Sequence, residues 1–110
     1  MSGWTVRLTD LAAQDVEDIL EWTFQQFGSQ QLEIYTDTIT DALMLLDEGP
    51  RAVGVRWHPE LGETVATLHV ARQGRKGRHL LVFRVSASER VVEVLRILHD
   101  SMDLSRHLDS

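Results

Sequence analysis

Residues 91–108, VVEVLRILHDSMDLSRHL, decide how the rest of the chain is read. Val91, Val92, Val94, Leu95, Ile97 and Leu98 leave only Glu93, Arg96 and His99 polar in the opening part of this stretch. A strand that is apolar on both parities is normally an interior strand, covered on both faces. It stops at His99–Asp100–Ser101, and Met102, Leu104 and Leu108 follow at the spacing of a helical turn. The segment also predicts a polar cluster, with Arg96, His99, Asp103, Arg106 and His107 near one end of a sheet. Everything upstream has to pair with this strand or pack against it.

Working outward, His79–Val85 is again apolar on both parities, and Thr64–Arg72 reads as a further strand. Gly74–Arg75–Lys76–Gly77 and Ser86–Arg90 are the turns between them, so the second half predicts an antiparallel meander. Val53–Trp57 reads as a short extended piece and His58–Glu63 as a loop. At the other end, Trp4, Val6 and Leu8 alternate with Thr5 and Arg7, the pattern of a short strand with one buried face. This strand is expected at a sheet edge, where unpaired backbone invites a partner. Between the two halves lie two helices. Thr9 or Asp10 caps the first, whose apolar stripe is Leu11, Val16, Ile19, Leu20, Thr23 and Phe27. Gly28 stops it, Ser29 caps the second, and Gly49–Pro50 ends that one after the stripe Leu32, Tyr35, Ile39, Ala42, Leu43 and Leu46. So short a connection predicts an antiparallel helical hairpin, with the meander supplying the surface that buries its stripes. The expected fold is α+β, in the order β-α-α-β-β-β, as a single domain over residues 1–110.

The totals exclude several classes. No apolar run approaches the roughly 20 residues of a membrane span. The start, MSGWTVRLTD, has neither the basic end nor the apolar core of a signal peptide, which predicts a cytoplasmic protein. There is no cysteine, hence no disulfide framework and no thiolate ligand or nucleophile. The net charge of −6 conceals an asymmetry: residues 1–50 hold ten acids against one base, Arg7, whereas residues 51–110 hold ten bases against seven acids. A nucleic-acid binder carries a domain-wide basic excess, which this chain lacks. An acidic half suits either plain solvation or a partner with a complementary basic segment.

Chemistry-bearing residues are present without a recognisable catalytic pattern. The histidines His58, His69, His79, His99 and His107 fall at no metal-ligand spacing, so no metal is expected. Ser101 and Ser105 lie among His99, Asp100, Asp103 and His107, a crowding typical of a polar tail rather than of an assembled triad. Metal-free RNA cleavage would need a base and phosphate-binding cations. His79 or His99 could serve as the base, and Arg72, Arg75, Lys76, Arg78, Arg84 and Arg96 as the cations. Arg96 has two readings. A charge inside a buried strand is costly by several kcal/mol unless paired. It therefore either pairs with an acid of the helical hairpin or with Asp103, or serves a binding surface.

The order of elements is similar to the RelE/ParE toxin superfamily, and four stretches resemble its ParE branch, the toxins of type II toxin–antitoxin modules. They are VRLTDLAAQDVEDILEWTFQQFG from Val6, PELG at residues 59–62, GRHLLVFRV at residues 77–85 and VVEVLRILHDSMDLSRHL at residues 91–108. The most specific is the tail pattern from Arg96 to His107. The resemblance implies a cofactor-free protein that poisons DNA gyrase and is neutralised by a ParD-like antitoxin, usually of the ribbon-helix-helix type. It implies that the antitoxin lays a helix on the hairpin, around Leu20, Phe24, Phe27, Leu32 and Ile34. By the tail's charge and position, Arg96, His99, Arg106 and His107 are the expected target contacts. No direct nucleic-acid or membrane contact is expected. RelE-type relatives instead cut mRNA on the ribosome with basic residues and often a C-terminal tyrosine. This chain has one lysine, net acidity and no tyrosine in its strands or tail. The alternatives are such an endonuclease, or an inactive relative that only binds an antitoxin.

Overall fold

The structure is a computed structural model describing residues 3–108. The elements are β1 (Thr5–Leu8), α1 (Asp10–Phe27), α2 (Ser29–Leu45), β2 (Arg56–Trp57), β3 (Val65–His69), β4 (His79–Ser86), β5 (Val91–His99) and α3 (Leu104–Leu108), with a 3-10 turn at Leu46–Glu48 after α2. The five strands form one sheet in the order β1-β5-β4-β3-β2. The meander is antiparallel, whereas β1 lies at the edge and runs parallel to β5, Thr5 opposite Val91 and Leu8 opposite Val94. The hairpin α1–α2 covers one face. Ala12, Ala42 and Leu46 meet Ala66, Leu68, Val70, Leu81, Phe83, Val85, Val92, Val94 and Ile97 in the main core. The opposite face carries a smaller cluster, Val65, Val82 and Leu98, which Leu61 of the loop and Leu104 and Leu108 of α3 cover.

The phase of α1 follows from its cap. Thr9 Oγ1 accepts the Ala12 N–H at 3.1 Å, making Thr9 rather than Asp10 the N-cap. This turns Ala12, Ile19 and Thr23 inward and leaves Leu11 61% exposed, off the stripe the sequence assigned to it. Gly28 alone joins the helices. At φ 89° it donates its N–H to Phe24 and its carbonyl accepts from Leu32. With a one-residue link there is no position for a separate cap, so Ser29 is the first residue of α2 and makes no capping bond.

β5 is interior, as its composition predicts, but its double-sided apolarity has a second cause. Val82 lies opposite Arg96 and Phe83 opposite Val94, so Leu95 is an extra residue, a β-bulge. The bulge inverts the alternation: Val92 and Val94 face the hairpin before it, and Ile97 faces it after. β3 is shorter than the stretch Thr64–Arg72. The chain leaves the ladder after His69 and crosses the close packing of Gly77 against Tyr35 and Val70 before re-entering at His79. The extended piece at Val53–Trp57 contributes the two-residue edge strand β2, paired with β3.

Candidate functional site

Beyond Leu8, β1 no longer covers the edge of β5, and side chains of α1 and its cap take over. Thr9 donates its N–H to Val94 O (3.0 Å) and its hydroxyl to Leu95 O (2.8 Å). Asp15 accepts the Ile97 N–H at 2.9 Å and holds the Arg96 guanidinium through Nε at 2.7 Å and Nη2 at 3.0 Å. Both side chains are mostly buried, and the carboxylate raises the pKa of Arg96. The ion pair with a hairpin acid, one of the sequence readings of Arg96, is formed. Asp103 is occupied elsewhere, accepting from the backbone and hydroxyl of Ser105.

The polar cluster expected at one end of the sheet is therefore divided. Arg96 turns toward the hairpin, whereas α3 folds back across the opposite face, carrying Arg106 and His107 exposed to solvent. His99 remains with the hairpin side, where the sequence did not anticipate its company. There, Tyr35 of α2 reaches over the sheet, and its hydroxyl donates to His79 Nδ1 at 2.6 Å while accepting the Arg78 N–H at 3.3 Å. Burial raises the Tyr35 pKa. The His79 ring meets His99 edge-on, with centroids 5.5 Å apart. Burial, and then the neighbouring His99, push His79 down to about 4, so it is neutral at pH 7. His99 Nδ1 accepts from the Ser101 hydroxyl at 2.7 Å and from its N–H at 3.2 Å. On the outer side, His69 Nδ1 accepts the Ala71 N–H, which leaves Nε2–H to donate to Asp100 at 2.9 Å. Asp100 also accepts from Arg78 Nε, and these partners hold its pKa below the usual carboxylate value, His69 first.

Tyr35, His79, His99 and Ser101 form one wall of a groove of about 700 Å³. Ile19, Trp22, Thr23 and Phe27 of α1 form the facing wall, with Met102 closing one side and Lys76 and Arg78 on the rim. Most of the lining is apolar; Trp22 is 55% exposed and meets Phe27 edge-on, 5.7 Å between centroids. The sequence reading placed Tyr35 on a packing stripe and gave Trp22 no role. A tryptophan lying off the stripe of an amphipathic helix was the available signal. Among the residues expected to meet the antitoxin, Phe24, Phe27 and Ile34 are exposed and Leu20 and Leu32 half-buried. Among the described residues, no group of His, Asp and Glu is arranged to hold a metal, and no helix is long and apolar enough to cross a membrane.

The same architecture occurs in solved structures. A chain from a structure of the chromosomal ParDE toxin–antitoxin system of P. aeruginosa superposes with TM-score 0.69 at 20% identity, covering 90% of this chain and 98% of that one. A chain from the RelBE2 toxin–antitoxin complex of Mycobacterium tuberculosis gives 0.52 at 21% identity, covering 87% and 96%. In sequence, Toxin ParE1 of Caulobacter vibrioides is 28% identical over 103 residues, 93% of this chain and 95% of the relative. A Toxin ParE1 of Mycobacterium tuberculosis is 28% identical over 102 residues, 92% and 94% of the two chains. The profile described as the ParE toxin of the type II toxin–antitoxin system, parDE, matches residues 6–104. With the fold and nearly the whole sequence in agreement, this chain belongs to the ParE family of type II toxin–antitoxin toxins.

Proposed function

We propose that this ParE-family toxin poisons DNA gyrase and is neutralised by a ParD-like antitoxin lying on its helical hairpin. The observation that carries the antitoxin half is the outer face of the hairpin. Phe24 and Ile34 are exposed there on helices that also carry Glu17, Glu21, Glu33 and Asp37, all exposed. Large apolar side chains left in water on an acidic surface suit an amphipathic segment with basic flanks. That one structural neighbour is a toxin–antitoxin complex supports the same partner class. The gyrase half rests on family membership and on the chain's net acidity, which disfavours a nucleic-acid substrate.

A second reading, mRNA cleavage on the ribosome, is favoured by one arrangement. The single tyrosine, absent from strands and tail, nonetheless brings its hydroxyl to His79 beside His99, with Lys76 and Arg78 close by. The deciding experiment adds the purified protein to gyrase and follows supercoiling and trapped linear DNA. Loss of supercoiling with trapped cleavage supports the first reading. Intact supercoiling together with mRNA cut on purified ribosomes replaces it with the second.

A further inference from the structure

We draw no further inference here: the strongest candidate, the apolar groove between α1 and the His79–His99 end of the sheet, is bordered by Lys76 and Asp18 alike, and nothing in the structure shows what covers it.

Discussion

Asp15 and Arg96 sit 81 positions apart in the chain, yet the carboxylate of one takes two hydrogen bonds from the guanidinium of the other. The same carboxylate satisfies the Ile97 N–H beside the bulge. One acid on α1 thus neutralises a mostly buried cation and closes a gap in the sheet's hydrogen bonding.

Asp15→Ala is expected to destabilise the protein by about 2–4 kcal/mol, because it leaves a part-buried guanidinium and a backbone donor without partners. The urea midpoint reports this directly. Arg96→Ala should also lower the midpoint, and a double-substitution cycle should return a coupling of at least about 1 kcal/mol. Additive effects would show that the pair contributes little. Loss of toxicity in an Arg96 variant therefore means loss of a target contact only if the midpoint is preserved.

Gly77 is expected to be required for its lack of a side chain. A Cβ there would lie 2.7 Å from Val70 Cγ2 and 2.8 Å from the Tyr35 hydroxyl oxygen. Gly77→Ala should move Tyr35 off His79 and cost about 1–3 kcal/mol. Tyr35→Phe, which removes only the hydroxyl shared by His79 and the Arg78 N–H, should lower stability by about 1–2 kcal/mol. Thermal unfolding midpoints of both variants at pH 7 check this, and an unchanged Tyr35→Phe would show the hydroxyl to be dispensable.

Acidification should weaken the fold through His79. In the folded protein this imidazole stays neutral down to about 4, whereas in the unfolded chain it takes up a proton near 6.5. Between those values the unfolded state binds more protons, so stability falls as pH is lowered through the window and is unaffected by this group above it. Comparing urea midpoints at pH 7 and pH 5 isolates the contribution. The drop should be smaller in His79→Gln than in the parent, and equal drops would remove His79 as the cause.

Phe24→Ala and Ile34→Ala address the outer face of the hairpin. Each side chain is half exposed or nearly so, which predicts little change in stability. If the antitoxin segment lies there, each substitution should weaken its binding about tenfold or more. Calorimetric titration of the pair of proteins measures this, and unchanged affinity in both variants would move the antitoxin elsewhere.

Much of the fold is legible in the sequence, and what is not has a local cause. Alternation at Trp4–Leu8, the glycine at 28 and the apolar runs at residues 79–85 and 91–98 suffice for the order of elements and the edge position of β1. The bulge at Leu95 is invisible because apolar residues flank it on both parities; only the pairing with β4 reveals the extra residue. Leu11 was misplaced because hydrophobicity alone does not set the rotation of a helix, whereas the Thr9 cap does. The groove draws its walls from α1, α2, the β3–β4 turn and the end of β5, so no contiguous motif could have announced it. Tyr35 was assigned to the right side of α2, but a stripe says which way a side chain points and not what its terminal atom reaches.

The parallel pairing of β1 with β5 has a consequence for synthesis. Thr5 must wait for Val91, 86 positions later, before its strand has a neighbour in the sheet. Contacts that distant close slowly, since the intervening chain must first be brought into a loop. Until β5 emerges, the hairpin of α1 and α2 has no Val92, Val94 or Ile97 to cover, and Asp15 has no Arg96. The nascent chain therefore carries partly uncovered apolar helices until β5 has been made. A copy cut short before β5 lacks the central strand of its core and the His99 side of its groove.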